Sequence, residues 1–573
     1  MAVDLTIRVA GENGEGLLSV GVVASQAFAR MGLNVYSFNT PPAEIKGGPS
    51  MVQLRVSDHP VHSQGDALDL LMAWNQENHD RHIGSLKSGG LLLYDPGECR
   101  PPERSDVTAV AVPLNQIIRE QIRNPRPKNV LAFAVLASLI GVPRGFAETF
   151  VRQKFQKRAD LLPLNLTAVE RGYQFAQECI PAAGKLAPLA PQDAAPRVIL
   201  TGNQAVALGA MAAGLQFFAG YPITPASEIM EFLSQHLAAC GGVVVQSEDE
   251  ISSLAAVIGA SFAGRKAATA TSGPGLALMV ELLGLATMQE LPAVIINVQR
   301  GGPSTGLPTR TEQGDLDLAV YGRHGDAPRI VLAPTNVEEC FYDTMHAFNL
   351  AEKYQTPVIL LSDQHLAQRS EAVPRPDPAR VPLVRRRTVA EGTTDFRRYA
   401  LTADGISPVA VPGEHDTPFV GTGLEHDERA HIDYSAHTHE VMMRKRQNKI
   451  GNAENERGFV VRSGPARAEL GLICWGGTTG PVREALAAAE QQGLSVALLV
   501  PKMLWPLPER AISEFMASVD KTVVVEMNLS GQLANLIQSR LCRPVQRLGK
   551  YSGMPFTATE ILSFIEGAVG HHG

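Results

Sequence analysis

The stretch AATATSGPGLALMVELLGLATMQELPAVIINVQR, residues 267–300, decides the fold of the chain. AATATS (267–272) is predicted as a short buried strand, ALMVELLGLATMQ (277–289) has the apolar spacing of a helix, and AVIINVQ (293–299) is predicted as a second buried strand. A strand, a helix and a strand in this order form a βαβ unit with parallel strands. The stretch therefore predicts a mostly parallel, doubly wound sheet covered by helices.

The same alternation extends on both sides of this stretch and divides the chain. PAAGKLAPLAPQDAAP is rich in Ala and Pro, lacks periodicity and is typical of a semi-rigid linker. A later region is rich in Pro, Arg, His and Glu, with few long apolar runs. We therefore expect an N-terminal α/β domain over residues 1–180, the linker over 181–196, a doubly wound domain over 197–369, a loop-rich excursion over 370–455 that wraps another surface, and a smaller third α/β domain over 456–573.

Composition excludes several classes of protein. The 573 residues suffice for roughly three to four domains. Hydrophobic residues make up 45% and charged residues 19%, and the net charge of -7 argues against a nucleic-acid binder. No apolar run is long enough to span a membrane, and the N-terminus lacks the basic and apolar regions of a secretory signal. We expect a cytoplasmic protein.

The cysteines do not form a local metal or cluster motif. They stand at positions 99, 179, 240, 340, 474 and 542, and no C-x-x-C occurs. Such scattered cysteines are mostly small buried apolar residues. The histidines are single and lack metal-ligand spacing, so no metal site is expected on this chain.

A glycine-rich turn follows the first predicted strand. VAGENGEG (9–16) places glycines at 11, 14 and 16 between a strand and a helix. Backbone amides at such a turn, with the positive end of the helix, bind phosphate groups. The spacing differs from the dinucleotide fingerprint, and the next strand ends at Asn39 rather than at an acid, which argues against NAD. A tight structural turn and a phosphate-bearing ligand both stay open.

YPITPASE (221–228) is a second turn with polar residues after a predicted strand. Thr224 fits a helix N-cap, and Pro225 fits the first helical position. These structural roles explain both residues without a ligand.

QSEDE (246–250) is ambiguous in the same way. Ser247 and Glu250 fit a capping box at the start of a helix. Glu248 comes just after the carboxyl end of a predicted parallel strand, where open α/β sheets bind ligands. The pattern alone favours capping.

A long loop leaves the second strand of the opening stretch. NVQRGGPSTGLPTRTEQGDL (297–316) passes directly from the strand into Arg300 and then through a Gly/Pro/Ser/Thr segment with Thr309 and Arg310. An arginine at the carboxyl edge of a sheet suits an anionic substrate. A solvated loop arginine is the alternative, and the pattern leaves both open.

In this order, the motifs resemble one family, the 2-oxoacid:ferredoxin (acceptor) oxidoreductases. The chain is similar to an alpha chain with the gamma domain fused at its N-terminus, and most of all to the members that act on 2-oxoglutarate. The stretches that carry the resemblance are GENGEG (11–16), EIKGGPSMVQLRVSD (44–58), GYPITPASE (220–228), QSEDE (246–250), TATSGPG (269–275), QRGGPSTGLPTRTEQGDL (299–316), YALTADGISPVAVPG (399–413), GLEHDERAHI (423–432), KRQNKI (445–450), WGGTTGPVREA (475–485) and EMNLSGQL (526–533).

The resemblance implies thiamine-diphosphate chemistry shared with a partner. The three α/β domains would be a gamma-type domain, a pyrimidine-binding domain and a transketolase C-terminal-like domain. A beta subunit would supply the diphosphate and Mg²⁺ site and a [4Fe-4S] cluster, in an α2β2 assembly. The enzyme would convert 2-oxoglutarate and CoA to succinyl-CoA and CO₂, pass electrons to ferredoxin, and run in reverse as well. The chain lacks the G-D-G…N signature of diphosphate binding, in agreement with such a partner.

The resemblance also implies roles for the singled-out residues. Glu248 would hydrogen-bond the thiamine aminopyrimidine, with Ser247 and Glu250 left as the helix cap. Thr224 would contact cofactor or substrate, and Arg300 and Thr309 would hold the 2-oxoacid carboxylate. Tyr221, Pro222 and Ile223 would line the cofactor beside Thr224, and the glycine loop would bind CoA through Gly11, Glu12, Asn13, Gly14, Glu15 and Gly16.

Other functions remain as alternatives. The same chemistry could act on pyruvate, a branched-chain oxoacid or an arylpyruvate, because an arginine that binds the shared carboxylate does not discriminate among them. A thiamine-dependent transferase without electron transfer, and a non-catalytic scaffold subunit, belong to other classes.

Overall fold

The computed structural model describes residues 3–12, 17–40, 48–100, 103–158, 160–180, 197–414 and 416–569, together with Leu186, Leu189, Gln192 and Ala195. Their strands are β1 (Asp4–Glu12), β2 (Asn34–Thr40), β3 (Pro49–Ser57), β4 (Leu68–Ala73), β5 (Leu86–Tyr94), β6 (Thr108–Ala111), β7 (Val198–Thr201), β8 (Phe217–Gly220), β9 (Val243–Gln246), β10 (Ala267–Thr271), β11 (Ala293–Gln299), β12 (Ile330–Leu332), β13 (Pro357–Asp363), β14 (Ser370–Val373), β15 (Val460–Ser463), β16 (Ala468–Cys474), β17 (Val496–Pro501), β18 (Met503–Trp505), β19 (Val519–Glu526) and β20 (Gln546–Gly549).

The helices of the same residues are α1 (Leu17–Arg30), α2 (Gln76–His82), α3 (Leu114–Ile117), α4 (Lys128–Leu139), α5 (Arg144–Phe155), α6 (Leu162–Cys179), α7 (Gly202–Ala212), α8 (Ser227–His236), α9 (Glu250–Phe262), α10 (Gly273–Leu278), α11 (Val280–Met288), α12 (Leu316–Tyr321), α13 (Val337–Tyr354), α14 (Gln364–Gln368), α15 (Ala436–Gly451), α16 (Thr479–Gln491), α17 (Glu509–Met516), α18 (Gln532–Leu541) and α19 (Ala558–Val569). The chain forms two compact units, Met1–Leu200 with Arg369–Arg375, and Thr201–Gln368 with Pro376–Gly573.

The first unit is built on a mixed sheet with strand order β6-β5-β4-β1-β3-β2-β14-β7. Strand β1 is parallel to β4 and antiparallel to β3. Helix α4 is apolar on every side because it is buried among the other elements of this unit. It lies against α6 so closely that a β-carbon on Gly172 would come within 2.5 Å of Ala134 Cβ.

Two short strands, β7 and β14, belong to the first sheet although the sequence predicted them in other domains. Strand β14 pairs antiparallel with β2, with Ser370 opposite Ser37, and β7 extends the sheet at the same edge. Segments expected in the doubly wound domain and in the excursion therefore complete the first sheet. Pairing between strands far apart in the chain carries no local sequence signal. Most of the predicted linker over 181–196 lies outside the described residues.

The second unit contains the predicted doubly wound sheet, with strand order β18-β12-β13-β11-β10-β8-β9. All of its paired strands are parallel except β12 and β18. Strands β10, β11 and β13 are buried along their whole length, which explains their continuous apolar sequences. The strand predicted at 293–299 matches β11 residue for residue, and the strand predicted at 267–272 exceeds β10 by one residue.

A third sheet, in the same unit, has the strand order β15-β17-β16-β19-β20. Its strands β16, β17, β19 and β20 are parallel, and β15 is an antiparallel edge. One buried apolar cluster joins this sheet to the doubly wound one and includes Ile295, Leu361, Ile473 and Trp475. The two sheets of this unit therefore share a core.

The excursion is held to its own unit by buried arginines. Arg386 forms hydrogen bonds with both carboxylate oxygens of Glu352, at 2.7 and 2.8 Å, and with the Ser261 carbonyl oxygen. Arg398 donates to the Glu290 carbonyl oxygen at 2.8 Å. In α15, which ends the excursion, Lys445 is buried as well. These contacts replace the apolar runs that the segment lacks.

Candidate active site

The candidate site lies at the carboxyl edge of the doubly wound sheet. Strand β8 stands between β9 and β10, and the chain passes first to β9 on one side and then to β10 on the other. The connections after β8 and β10 therefore diverge, which opens the crevice in which such sheets bind ligands. The segments 221–226, 247–249 and 300–315 follow β8, β9 and β11 at this edge, and the turn after β10 begins at Ser272.

The predicted cofactor-lining residues connect β8 to α8. Tyr221, Pro222 and Thr224 are exposed, Tyr221 to 42%, and Ile223 is half-buried. The predicted cap at Thr224 is wrong, because α8 begins at Ser227 and its N-cap is Ala226.

The physical reason is a contact that only the fold creates. Arg300 Nη1 donates to the Thr224 carbonyl oxygen at 2.5 Å, so this carbonyl is turned towards β11. The turn that precedes α8 is instead closed by hydrogen bonds from the amides of Ala226 and Ser227 to the Ile223 carbonyl oxygen. Thr224 thus keeps its hydroxyl available at the edge of the crevice.

Arg300 is buried at the end of β11. Only 7% of its surface is exposed, and its Nε has no hydrogen-bond partner among the described residues. Burial lowers the pKa of Arg300, and the charge of Asp315 opposes that shift. An arginine that is held by one nitrogen and unpaired at another is suited to bind a carboxylate.

Thr309 lies in the loop that follows Arg300. The loop closes on itself, because the Leu307 amide donates to the Gly301 carbonyl oxygen at 2.8 Å and the Gly301 amide to that of Arg310 at 3.0 Å. Thr309 is half-buried, whereas Arg310 is exposed. Because Gly301 and Arg310 are hydrogen-bonded, Thr309 lies close to the end of β11, which Arg300 follows.

The two glutamates of the QSEDE motif have different environments. Glu248 is exposed, whereas Glu250 is only 6% exposed. Glu250 points towards the turn after β10, where a β-carbon on Gly275 would lie 2.5 Å from its Oε1. The missing side chain of Gly275 therefore leaves the space that the Glu250 carboxyl group occupies.

The predicted capping box of Ser247 and Glu250 is wrong. The cap is formed by Asp249 and Ser252: the Ser252 amide donates to Asp249 Oδ1 at 2.7 Å, and the Asp249 amide donates to Ser252 Oγ at 3.2 Å. The Ser247 amide donates to the Gly220 carbonyl oxygen and so extends the pairing of β9 with β8. The helix starts later than predicted for this reason.

Sequence reasoning assigned Glu250 to the helix cap and did not predict that its side chain is buried against the turn after β10. Once Asp249 is the cap, Glu250 is the first helical residue and its side chain faces inward. The available signal was that Asp249 fits an N-cap as well as Ser247 does. Asp315 was missed too: Asn297 Nδ2 donates to its Oδ2 at 2.9 Å, and burial raises the pKa of Asp315, opposed by Asn297 and Arg300.

A buried amide supports the 221–228 segment from behind. Asn203, on α7, is fully buried and donates to the Pro225 carbonyl oxygen at 2.9 Å and to Glu228 Oε2 at 3.1 Å. Burial raises the pKa of Glu228, and the hydrogen bonds from Asn203 and Gln368 oppose the shift. The segment is thus fixed by Arg300 on one side and by Asn203 on the other.

The glycine loop belongs to the first unit and is described only in part. Gly11 and Glu12 end β1, whereas Asn13, Gly14, Glu15 and Gly16 lie outside the described residues. Asn78 of α2 is fully buried and donates from Nδ2 to the Gly11 carbonyl oxygen at 3.0 Å, while its Oδ1 has no partner in the described part of the chain. The carboxyl end of β1 is therefore held by a side chain from the neighbouring connection.

The described residues show no group of three or more His, Cys, Asp or Glu that could hold a metal ion. The six cysteines form no disulfide bond in the described part of the chain; Cys99, Cys340 and Cys474 are buried as predicted, whereas the prediction is wrong for the exposed Cys179, Cys240 and Cys542. None of the described helices combines the length and apolar character needed to cross a bilayer.

Three family profiles match successive parts of the chain. They are described as pyruvate ferredoxin/flavodoxin oxidoreductase over residues 6–175, pyruvate flavodoxin/ferredoxin oxidoreductase, thiamine diphosphate-binding, over 208–445, and pyruvate:ferredoxin oxidoreductase core domain II over 468–561. Together with the three sheets, these matches confirm the predicted multidomain α/β fold.

Curated relatives and a solved structure match nearly the whole chain. The chain is 32% identical to the Aeropyrum pernix 2-oxoacid:ferredoxin oxidoreductase 2, subunit alpha, over 98% of this chain and 97% of the relative. It is 34% identical to the Mycobacterium tuberculosis 2-oxoglutarate oxidoreductase subunit KorA, over 99% and 92%. It is 42% identical, with a TM-score of 0.96 over 99% of both chains, to the structure of 2-oxoglutarate:ferredoxin oxidoreductase from Magnetococcus marinus with 2-oxoglutarate, coenzyme A and succinyl-CoA bound. The chain therefore belongs to the family of 2-oxoacid:ferredoxin oxidoreductase alpha subunits.

Proposed function

We propose that the chain is the alpha subunit of a 2-oxoglutarate:ferredoxin oxidoreductase, which converts 2-oxoglutarate and CoA to succinyl-CoA and CO₂ with electrons passed to ferredoxin. The observation that carries this proposal is the buried, incompletely paired Arg300 at the carboxyl edge of the doubly wound sheet. The match over 99% of the chain to an enzyme of this name supports the choice of 2-oxoglutarate.

Arg300 would bind the carboxylate next to the keto group. Its Nη1 is already oriented by the Thr224 carbonyl oxygen, so the guanidinium would lose little further side-chain freedom on binding a carboxylate. Thr309 and Thr224 have hydroxyl groups near this point and would complete the contacts to substrate. The charge of Arg300 is kept because the pKa of an arginine lies far above neutral pH even after burial.

The residues at the crevice fit the aminopyrimidine side of thiamine diphosphate. The Glu250 side chain is buried, forms no side-chain hydrogen bond among the described residues, and has its Oε1 against Gly275. When bound, the cofactor supplies the electron sink for decarboxylation. Glu250 would hold a proton between its carboxyl group and the aminopyrimidine ring nitrogen. Glu248, for which the resemblance to the family implied this role, is exposed and is the alternative.

A partner beta subunit would cover this edge of the unit. Exposed apolar side chains occur on the elements that border the crevice: Tyr221 after β8, Val243 and Val245 on β9, Ile251 on α9 and Leu278 on α10. Apolar patches of this kind mark protein–protein contacts. The beta subunit would bring the Mg²⁺ and diphosphate site and the [4Fe-4S] cluster, because this chain has neither the G-D-G…N nor the C-x-x-C pattern for them. We expect an α2β2 assembly.

The first unit would contribute to CoA binding. The segment from Gly11 to Gly16 begins in the last two residues of β1 and precedes α1, the position at which backbone amides bind phosphate groups in strand-to-helix turns. Asn78 supports the start of this segment. We place the enzyme in the cytoplasm, where CoA and ferredoxin are present and free cysteines stay reduced.

The proposal is tested with the chain purified anaerobically together with its beta subunit. Viologen reduction is measured with 2-oxoglutarate, pyruvate, 2-oxoisovalerate and phenylpyruvate, each with and without CoA. We expect a kcat/KM for 2-oxoglutarate at least about tenfold above the others, dependent on CoA. A preference for another oxoacid would keep the reaction and change the substrate. No reduction with any oxoacid, in a preparation that contains thiamine diphosphate and an intact cluster, would overturn the proposal.

A further inference from the structure

The third sheet has a ligand crevice of its own. Strand β16 stands between β17 and β19, and the chain passes from β16 to β17 on one side before it reaches β19 on the other. The connections after β16 and β19 therefore diverge and open a crevice at the carboxyl ends of these two strands. The segments Trp475–Thr478 and Met527–Asn528 line it.

This crevice is filled by a side chain from the loop that follows β11, residues 300–315, which we call the substrate loop. Gln313 is fully buried, and its Nε2 donates to the Trp475 carbonyl oxygen at 2.8 Å. Its Oε1 accepts from Thr478 Oγ1 at 2.8 Å and from the Met527 amide at 2.9 Å. Gln313 thus occupies, within the chain, the position that a ligand takes in other sheets of this type.

The main chain of Gln313 is bound at the same place. Its amide donates to the Met527 carbonyl oxygen at 2.7 Å, and its carbonyl oxygen accepts from Asn528 Nδ2 at 3.0 Å. The side-chain amide and the main-chain N–H and C=O of Gln313 are therefore all hydrogen-bonded to the third sheet and the segments that follow its strands. Five hydrogen bonds from one buried residue define its position far more tightly than a surface loop contact would.

A second anchor lies two residues earlier. Thr311 Oγ1 donates to Asp363 Oδ1 at 3.1 Å, and the other oxygen of Asp363 accepts from the Gly477 amide at 3.0 Å. The loop from Arg300 to Gln313 is therefore fixed at its start by β11 and at its end by the third sheet. Thr309 lies between these two points.

We propose that Gln313 is a positioning residue for 2-oxoacid binding, and that the third sheet holds the substrate loop in the position in which it binds substrate. This inference rests on the proposed role of Arg300 and Thr309. Without the Gln313 side-chain amide, the residue loses three of its five hydrogen bonds, and the end of the loop is held less tightly. The free energy of ordering it is then subtracted from substrate binding. The cofactor-facing residues on β8 and α9 keep their positions.

The test compares Gln313→Met with Gln491→Met in the holoenzyme. Methionine keeps the length of the side chain and removes its hydrogen bonds, and Gln491 is an exposed glutamine at the end of α16. We expect the KM for the oxoacid to rise about tenfold in Gln313→Met, since a lost buried hydrogen bond corresponds to that factor. The apparent affinity for thiamine diphosphate and the KM for CoA should change less than about twofold. Gln491→Met should match the wild type.

A purely structural role would give a different result. Lower thermal stability with unchanged KM, and kcat reduced only in proportion to the active fraction, would overturn the proposal. Hydrogen exchange adds a readout that does not need turnover: amides 301–312 should exchange faster in Gln313→Met, and those of β16 and β19 should not. Equal exchange in the loop would also overturn it.

Thr478→Val is the milder second variant if Gln313→Met does not assemble. It removes only the hydroxyl that donates to Gln313 Oε1, and the same rise in KM should appear at a smaller size. The KM is measured with whichever 2-oxoacid the wild type uses best. A wild type inactive on 2-oxoglutarate but active on another oxoacid would therefore refute the substrate assignment alone, while an unshifted KM in an active variant would refute the role of Gln313 alone.

Discussion

Arg300 Nη1 donates a hydrogen bond to the Thr224 carbonyl oxygen at 2.5 Å, across 76 positions of sequence. This contact joins the connection after β8 to the end of β11 on the two sides of β10. It orients the guanidinium before any substrate arrives, and it moves the start of α8 from Pro225 to Ser227. One hydrogen bond thus fixes the orientation of the Arg300 guanidinium and the path of the connection after β8.

Replacement of Arg300 by lysine should weaken substrate binding. A lysine has one charged nitrogen and cannot hold the Thr224 carbonyl oxygen and a carboxylate together in the same geometry. We expect the KM for 2-oxoglutarate to rise about 100-fold, the effect of about 2–3 kcal/mol from a charge-assisted hydrogen bond. Steady-state viologen reduction measures it. Arg310→Lys, an exposed neighbour in the same loop, is the control, and equal effects of both changes would contradict the assignment.

The two glutamates at α9 should differ in their effect on turnover. Glu250→Gln keeps the size of the buried side chain and removes its charge, so we expect kcat to fall at least about 100-fold. Glu248→Gln, at an exposed position, should change kcat by about twofold or less. Both are measured in the holoenzyme at saturating thiamine diphosphate. The reverse order would show that the exposed carboxylate is the one that meets the cofactor.

A buried ion network should contribute to stability. Glu290 is fully buried between Lys445, at 2.5 Å, and Lys449, at 2.9 Å, and both lysine side chains are at most 2% exposed. Glu290→Gln would leave two buried cations without a counter-charge, which costs about 3–5 kcal/mol. We expect Tm to fall by about 6 °C or more. Glu440→Gln, which breaks only an exposed pair with Arg444, should change Tm little; similar losses in both would contradict the argument.

Asp343 should make the second unit lose stability as the pH rises. Burial raises the pKa of Asp343 from 3.8 to about 7, opposed by Lys502, whose Nζ lies 2.8 Å from Oδ1. Glu339 beside the pair raises this pKa further, and the folded chain therefore binds more protons here than the unfolded chain between about pH 4 and pH 7. Across that window the stability contributed by this group falls with rising pH.

The Asp343→Asn variant isolates this effect, because asparagine does not titrate. The Tm of the wild type, measured relative to that of Asp343→Asn, should decrease as the pH is raised from 4.5 to 7.5. Asp520→Asn, at an exposed position of β19, is the control for the loss of one carboxylate without burial. A flat difference for Asp343→Asn would mean that Lys502 keeps the carboxyl group ionised throughout.

Much of the second unit could be predicted from sequence because its signals are local. The buried run of β11 has its observed ends, since residues such as Ile295 and Ile296 are buried on both faces and turn residues follow directly. The carboxyl-edge location of Arg300 follows from the same alternation. The helix starts were predicted less well, because several residues near each turn could act as caps.

Local chemistry therefore determined the order of strands and helices, the absence of cluster motifs and the presence of an arginine loop at the edge of a parallel sheet. Tertiary structure alone decided which carboxylate is buried, because the pairing of Ser247 with Gly220 delays α9 and turns Glu250 inward. It also decided that Gln313, an ordinary loop residue in sequence, meets Trp475 from 162 positions away. Burial and hydrogen bonding across such separations depend on how the sheets pack, and no local pattern of residues encodes them.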